Sequence, residues 1–372
     1  MIFVIVVVAA ICVAYANGAN DNFKGVATLF GSGTTNYRRA LAWATGTTIL
    51  GSATALLLAG NLIKSFGGKG LIDDAVASQP AFAAAVALGA GLTVLIATRI
   101  GMPISTTHGL IGALIGTGLT AGSALNLGNL GTKFVIPLLL SPILAVVITV
   151  VVYPLMRYGR KRLGITRDIC LCAGKETLEV VSADCQTVAL QRAEQLSTSM
   201  GTSVTCESRY QGKVLGISAG DSLDKAHFLS SGVVSFARGL NDTPKIAALL
   251  LLAPAFGVAS SLILVGIVIA LGGILSARRV AETMSKEITT MNHGQGFTAN
   301  VITGLIVIGA SRLGLPVSTT HVSCGSLFGI GAVSGGAKPK TIATILLAWI
   351  TTLPVAAGTG AVSYLVVSAL GA

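Results

Sequence analysis

The chain consists of long apolar runs separated by short polar breaks. A helix needs about 20 apolar residues to cross a bilayer, and most of these runs reach that length or come close to it. The pattern therefore predicts an all-α, multispanning membrane protein. The candidate spans cover residues 1–30, 40–60, 81–98, 104–121, 134–154, 229–252, 255–277, 297–311, 317–333 and 341–371.

Composition favours membrane helices. The chain is 52% hydrophobic and only 10% charged, whereas a soluble domain carries about 25% charged residues. Its 46 glycines are typical of packed membrane helices, whose backbones approach closely at small residues. The net charge of +11 indicates basic cytoplasmic loops, so we expect no nucleic-acid partner. The first run lacks the basic start of a cleavable signal peptide and is interpreted as mature structure.

Two short motifs occur twice, in the same order. N-D-x-x-K begins at Asn20 and again at Asn241, and S-T-T-H begins at Ser105 and again at Ser318. Duplicated motifs in an apolar chain are typical of transporters built from two repeats around one shared site. We therefore expect an N-terminal membrane repeat at 1–156, an insert at 157–228 and a C-terminal membrane repeat at 229–372.

Clusters of Lys and Arg set the predicted orientation. Basic residues concentrate near Arg39, Arg160 and Arg279, and such clusters mark cytoplasmic loops. With all three clusters inside, both termini face outward, the insert is cytoplasmic, and the second repeat runs opposite to the first. The sequence therefore predicts an inverted-topology repeat.

The segments around Gly101 and Gly314 predict two re-entrant helical hairpins. The run 297–311 is only about 15 residues long, which is short for a crossing, and Arg99 and Arg312 lie at the joints. Charged, irregular backbone at membrane depth must face protein or a water-filled cavity, so the tips should point toward the midplane. The alternative is two ordinary spans with the arginines as interface anchors. In the hairpin, these arginines either attract an anion or brace the tips, and we favour bracing.

The insert is predicted to be a small α+β module. Alternating residues suggest strands at Glu176–Ala183 and Thr202–Ile217, and Val188–Ser199 is typical of a helix. The insert also holds four cysteines whose spacing matches no zinc motif, so we expect free thiols, as is usual in the cytoplasm. These cysteines are Cys170, Cys172, Cys185 and Cys206.

Among the acids outside the insert, only Asp21 and Asp242 lie within apolar segments. An intramembrane carboxylate is a functional-site hypothesis by default, and duplication beside Asn favours function over a structural ion pair. The structural alternative pairs Asp21 with Lys245 and Asp242 with Lys24. Glycine before each motif suggests locally unwound helix with free carbonyl oxygens. Those carbonyls, the carboxylate and the adjacent Asn oxygen would form a site for a small cation such as sodium.

The S-T-T-H motifs predict an anion site. Each follows a proline and opens an apolar run, which marks a helix N-terminus. Free N–H groups and the positive end of the helix dipole bind oxyanions there. Two such tips would enclose one tetrahedral anion; simple helix capping is the alternative. His108 and His321, which end the motifs, are expected to bond backbone or lock the hairpins rather than bind metal.

These motifs resemble the inorganic phosphate transporter family. The resemblance rests on G-A-N-D beginning at Gly18, on G-L-N-D beginning at Gly239 and on the two P-x-S-T-T-H stretches, and it covers both membrane repeats. It implies phosphate uptake coupled to sodium or protons, an inverted repeat and a homodimer. The chain departs from the eukaryotic-type G-A-N-D-V-A-N-A-F run at Asn22, Phe23 and Lys24, which leaves the coupling ion open. Some members of the wider family resemble sulfate permeases, so the motifs do not settle the anion.

The combined prediction is a secondary active symporter in the plasma membrane that imports inorganic phosphate with sodium by alternating access. The chain has no Walker motif, so the sodium gradient would supply the energy, and we expect neither an enzyme nor a cofactor. The alternatives are a proton-coupled phosphate or sulfate permease, a channel and, remotely, an intramembrane aspartyl protease, whose G-x-G-D context is missing.

The predicted site residues fall into three groups. Phosphate is assigned to Ser105, Thr106, Thr107, Ser318, Thr319, Thr320, Asn22 and Thr243. Sodium is assigned to Asn20, Asp21, Asn241 and Asp242, with the two aspartates as its charged ligands. Supporting roles are assigned to Lys24, Lys245, Arg99, Arg312, His108 and His321.

Overall fold

The computed structural model describes residues 1–58, 62–63, 66, 70–184, 187–210 and 214–371. It divides into two compact units. The larger unit, which we call the membrane unit, joins Met1–Tyr153 to His227–Ala372, and the smaller, the insert, is Pro154–Ala226. The sequence predicts the insert at 157–228.

Helices make up nearly all of the membrane unit. In chain order, the helices of the described residues are α1 Ile2–Asp21, α2 Ala27–Gly31, α3 Tyr37–Leu58, α4 Asp74–Ala77, α5 Pro80–Arg99, α6 Thr106–Thr120, α7 Leu127–Asn129, α8 Ile136–Arg162, α9 Ser203–Arg209, α10 Ala219–Leu250, α11 Val258–Ser276, α12 Arg278–Glu282, α13 His293–Arg312, α14 Thr319–Ser334 and α15 Pro339–Gly371. A 3₁₀ turn at Lys24–Val26 precedes α2, and π-helical turns at Leu130–Val135 and Thr283–Glu287 precede α8 and follow α12.

Six helical stretches of the described chain are long and apolar enough to cross a membrane. They coincide with six of the ten runs predicted from the sequence, which confirms a mostly helical membrane protein. The six are Ile2–Gly31, Tyr37–Leu58, Pro80–Arg99, Leu127–Arg162, Val258–Ser276 and Pro339–Leu370.

Small residues let α1 pack directly against α11. A Cβ atom added at Gly18 would lie 2.0 Å from the carbonyl oxygen of Ile269, and one added at Gly272 would lie 2.1 Å from that of Tyr15. Neither position has room for any side chain, so the two backbones touch, as small residues allow in membrane helices. This packing fixes the C-terminal end of α1, which carries the first N-D motif.

The two N-D motifs occupy different positions in their helices. The first lies at the end of α1, and the second lies inside α10. In the first half, α1 stays helical through Asp21, and 3₁₀ geometry follows only at Lys24–Val26, so the break predicted at Asn17–Asn22 is wrong. In the second half, α10 continues unbroken through residues 239–242, with Pro244 inside the helix. The unwinding predicted there is wrong, because a membrane helix tolerates proline where neighbouring groups satisfy the backbone groups that it frees.

Each S-T-T-H motif follows a tight turn. Gly101 and Gly314 have φ of 76° and 69°, a left-handed conformation that glycine adopts without steric strain. An extended stretch leads from each glycine to α6 or α14. The preceding helices α5 and α13 both have 20 residues. Since α13 is longer than its apolar run, its length does not support re-entrance, and the hairpins and the inverted repeat stay predictions.

The insert is built on a three-stranded antiparallel sheet of order β2-β1-β3. Its strands are β1 Ile169–Asp184, β2 Thr187–Thr202 and β3 Val214–Ser218, and α9 lies between the last two. The helix predicted at Val188–Ser199 is wrong because pairing with β1 overrides the helix propensity of that segment. The single strand predicted over Thr202–Ile217 is also wrong, since it includes α9.

Two of the insert's cysteines form a disulfide rather than free thiols. Cys172 and Cys206 are bonded, with Cα atoms 6.1 Å apart, which corrects the prediction for this pair. The sequence could not reveal the bond because α9 brings Cys206 back beside β1. Cys185 lies outside the described residues. A disulfide is unusual in the cytosol, which makes this bond an exception in an insert predicted to be cytoplasmic.

Candidate functional site

The two N-D motifs and the two S-T-T-H tips meet in the interior of the membrane unit. The Lys24 ammonium donates to Thr320 Oγ1 at 2.6 Å, and the Lys245 ammonium donates to Thr107 Oγ1 at 2.8 Å. Each lysine thus reaches from the motif of one half to the tip of the other. All four side chains are buried, so the sequence-distant motifs form one enclosed polar site.

Lys24 lies in a cage of four oxygen atoms. Besides Thr320, its ammonium group donates to Asn20 Oδ1 at 2.7 Å, to the Ile104 carbonyl at 2.8 Å and to the Asp21 carboxylate. The carbonyl comes from the extended stretch before α6, not from an unwound N-D motif. The cage therefore has the composition predicted for a cation site, with its backbone oxygen from a different segment.

Lys245 lies in a matching cage. Its ammonium group donates to the Val317 carbonyl at 2.9 Å and to Asp242 Oδ1 at 3.3 Å, in addition to Thr107. Asn241 donates to the same Val317 carbonyl at 3.1 Å, which ties the motif to the second tip. Each aspartate pairs with the lysine three residues later, so the crossed pairing considered from the sequence is wrong.

Arg238 is a third buried cation, and it was not predicted from the sequence. Its guanidinium group donates to Asn17 Oδ1 at 2.8 Å and to Asn22 Oδ1 at 2.9 Å, and its Nε lies 3.8 Å from Asp242 Oδ2. Asn17 in turn donates to Asp21 at 2.9 Å and to Asp242 at 3.4 Å. Arg238 and Asn17 thus connect α10 to α1 between the two acids.

The hydroxyl groups of the tips divide between capping and the site. Ser105 and Ser318 cap α6 and α14, each accepting from a backbone N–H at 3.2 Å, so the capping alternative describes these serines. Thr106 donates to Asp21 Oδ2 at 3.0 Å, and Thr320 donates to the Ile104 carbonyl at 3.0 Å. Thr106, Thr107 and Thr320 therefore supply the tip hydroxyl groups that contact the charged residues.

The histidines hold the two tips against each other. The rings of His108 and His321 are 4.3 Å apart, and His321 stacks on Trp349 at 3.7 Å. Trp349 also donates to the Pro103 carbonyl at 3.1 Å. This arrangement is consistent with a locking role. Within the described residues, no cluster of three or more His, Cys, Asp or Glu is suited to hold a metal ion.

Two predicted phosphate ligands face away from the tips. Asn22 donates to Thr45 Oγ1 at 2.8 Å and accepts from Arg238, while Thr243 shares a 2.7 Å hydrogen bond with Ser52. Both contacts lead toward α3, so the structure separates this pair from the S-T-T-H threonines.

Arg99 and Arg312 also lie outside the enclosed site, and both are exposed. Arg99 lines a cavity of about 730 Å³ together with Arg278, Arg279 and Glu282, and its backbone carbonyl accepts from the Arg279 guanidinium. Ala19 and Thr98 form another part of the wall. Thr98 accepts from Asn20 at 2.9 Å, so this basic cavity borders the Lys24 cage.

The enclosed site carries an excess of positive charge. Lys24, Arg238 and Lys245 face Asp21 and Asp242, and all five side chains are at most 3% exposed. Three cations and two carboxylates leave one positive charge, and buried charge is stable only when it is paired and hydrogen-bonded. The arrangement is therefore suited to receive an anion, whose charge would complete the balance.

Comparison with known proteins agrees with this chemistry. A Pyrococcus furiosus protein provisionally named a phosphate permease is 27% identical over 95% of this chain and 93% of its own length. Chloroplastic inorganic phosphate transporter 2-1 of Arabidopsis thaliana is 27% identical over 92% of this chain and 68% of its own length.

A solved structure, that of a protein named the sodium-dependent phosphate transporter, shares the fold. The likeness covers 99% of both chains with a TM-score of 0.75, and the two sequences are 21% identical. At that identity the likeness concerns the fold alone. The model of the phosphate transporter family matches residues 17–360, a range that includes both N-D motifs and both tips. The chain therefore belongs to the phosphate transporter family.

Proposed function

We propose that this protein is a secondary active transporter that imports inorganic phosphate by alternating access, with the anion bound between the S-T-T-H tips. The observation that carries the proposal is the convergence of both motifs of both halves on one buried, positively charged site. Thr106, Thr107, Thr319 and Thr320, which are all buried, would supply hydroxyl ligands. We also propose a plasma-membrane homodimer with outward termini and a cytoplasmic insert.

Sodium coupling stays a prediction of the sequence. The structural relative is named a sodium-dependent transporter, which supports the prediction. Against it, the two predicted sodium sites of this chain hold lysine ammonium groups. This arrangement favours the alternative considered from the sequence, a proton-coupled phosphate or sulfate permease.

Uptake into proteoliposomes tests the proposed function. We expect the purified protein to accumulate radiolabelled phosphate, and to prefer it to sulfate, under at least one imposed gradient of sodium, protons or potential. Empty liposomes processed in parallel are the control. A failure to move phosphate under every gradient would refute phosphate transport, and preferred uptake of sulfate would identify a sulfate permease.

The inverted repeat predicts which loops face the same side. Single cysteines replacing Arg39, Arg160 and Arg279 should react with an impermeant thiol reagent from the cytoplasmic side only, because basic clusters stay inside. A cysteine replacing Lys133 should react from the outside only. All four positions are exposed, so labelling will report topology rather than burial. Lys69, a second predicted outer marker, lies outside the described residues. Labelling of positions 133 and 160 from the same side would contradict the arrangement.

The shared anion site predicts matched losses at the two tips. Thr106→Val and Thr319→Val should each weaken phosphate binding by roughly 10- to 150-fold, since a hydrogen bond to a charged group contributes about 1.5–3 kcal/mol. The double variant should bind worse than either single one. Calorimetric titration, with and without sodium, measures this. Thr351→Val, which alters an exposed residue on α15, should bind normally. Normal binding by both tip variants would mean that these threonines only stabilise the tips.

A further inference from the structure

We propose that Lys24 and Lys245 are built-in cations that occupy both predicted sodium sites, so that this transporter moves phosphate without sodium. The inference rests on the proposed function and excludes sodium as its coupling ion. It arises because three of the four predicted sodium ligands, Asn20, Asp21 and Asp242, already accept from an ammonium group of the chain.

All the N–H donors of Lys24 have oxygen partners within its cage. An ammonium group has three N–H donors and no acceptor. Four oxygens lie within hydrogen-bond distance, from Asn20, Asp21, Ile104 and Thr320. These are an amide oxygen, a carboxylate, a carbonyl and a hydroxyl, the hard-oxygen ligands that a sodium ion would need. Every donor faces a protein oxygen, so Lys24 takes the place of a cation rather than reaching for the anion.

The second cage contains three of the four kinds of oxygen ligand that surround Lys24. Lys245 donates to a hydroxyl, a carbonyl and a carboxylate, those of Thr107, Val317 and Asp242. Both lysines are the fifth residue of N-D-x-x-K, so each follows its own aspartate by three positions. Two cages, each filled by the lysine at the same motif position, indicate a shared role and not an isolated ion pair.

The charge balance of the site also argues against bound sodium. The five buried ionisable groups already carry one net positive charge, which a monovalent phosphate neutralises. Two sodium ions would raise this buried charge to three, and each would lie beside an ammonium group at short range, where like charges repel strongly. Arg238 adds to this repulsion near Asp242. Sodium would therefore be repelled from both sites while the lysines remain there.

The wild-type protein gives the first test. We expect initial rates of radiolabelled phosphate uptake into proteoliposomes to differ by less than twofold when N-methylglucamine replaces sodium on both sides. We also expect thermal unfolding in detergent to respond equally to sodium chloride and choline chloride. A tenfold or larger stimulation of uptake by sodium would overturn the inference and leave phosphate transport intact. If no phosphate moves in any medium, the proposed function itself fails.

Removing one built-in cation gives the second test. Lys24→Ala and Lys245→Ala should each lower sodium-free uptake at least tenfold, and sodium should restore a substantial part of it by entering the opened cage. Lys340→Ala, which removes an exposed lysine from the start of α15, should match the wild type in both media. If a Lys24→Ala protein elutes as a folded species yet stays equally inactive with sodium, the lysine does not act as a cation substitute. The wild-type measurements decide the question if the variants do not fold.

Discussion

Arg238→Leu is expected to abolish phosphate uptake and to lower the stability of the membrane unit sharply. The guanidinium group is 1% exposed and donates to Asn17 and Asn22 of the first half, while its Nε lies near Asp242. Leucine removes these contacts and leaves the carboxylates with fewer counter-charges. Breaking a buried ion pair by removing one partner destabilises a protein by about 3–5 kcal/mol.

A lysine should not replace this arginine. Arg238 bonds two separate amide oxygens through the two arms of a planar fork, whereas a lysine ammonium is a point charge on a flexible stem. We therefore expect Arg238→Lys to retain part of the stability but little of the uptake. Thermal unfolding in detergent and proteoliposome uptake measure the two effects.

Arg39→Leu is the matched control, since it removes an exposed arginine from the membrane unit. It should leave both the uptake rate and the unfolding temperature close to those of the wild type. Normal transport by a folded Arg238→Leu protein would show that the three buried cations do not act together.

Arg238 is also the charged site residue that duplication does not reveal. Functional residues were predicted from repeated motifs, and the position three residues before each N-D motif holds Arg238 in one half and Asn17 in the other. The duplicated residues were therefore found, and the unequal pair that joins them was not. A search for every charge inside an apolar run, with or without a repeat, would have identified Arg238.

The secondary structure was also predicted correctly only in part from local sequence pattern. Apolar runs of helical length predicted the six spans, because bilayer thickness sets the length of a helix that crosses it. The unwinding predicted at the two N-D motifs is not formed, since α1 stays helical through Asp21 and α10 continues through Asp242. Strand β2 was predicted as a helix although it directly follows its partner β1 in the chain, because helix propensity is a weak prior that strand pairing overrides.

The oxygen cages were predicted in composition but not in occupancy. An Asn, an Asp and backbone carbonyls were expected from the sequence; all three contact Lys24, whereas Lys245 contacts Asp242 and a carbonyl, and the Asn241 oxygen accepts from Ser311 instead. The carbonyls of Ile104 and Val317 come from the tips, far along the chain from the motifs that they complete. No local pattern predicts that a tip of one segment will supply the missing oxygen for another.

Asp21→Asn is expected to reduce phosphate uptake sharply while leaving a membrane-inserted protein. The carboxylate accepts from Lys24, from Asn17 at 2.9 Å and from Thr106 at 3.0 Å. Asparagine has nearly the same shape but no charge, so the buried site would gain an uncompensated cation. We also expect a stability loss of about 3–5 kcal/mol, the usual effect of removing one partner of a buried pair. If the transition state of the transport step lost the same amount of stabilising free energy, the uptake rate would fall by more than about 100-fold.

Asp242→Asn should also abolish uptake, with a smaller loss of stability. Its contacts are longer, since Lys245 lies 3.3 Å and the Arg238 Nε 3.8 Å from its oxygens. Asp74→Asn is the control, because it changes an exposed acid at the start of α4. Full uptake by either site variant would make the acid structural.

A double variant separates the charge of the pair from the fold. Asp21→Asn combined with Lys24→Met removes both members of the first ion pair, and replacing a whole buried pair is often neutral for stability. The unfolding temperature of the double variant should therefore lie above that of Asp21→Asn alone, which makes the two effects non-additive. Phosphate uptake should stay low, because the cage has lost its cation and its carboxylate together. Recovery of stability without recovery of transport would show that this buried pair is maintained for function, whereas recovery of both would mean that the pair is not needed for transport.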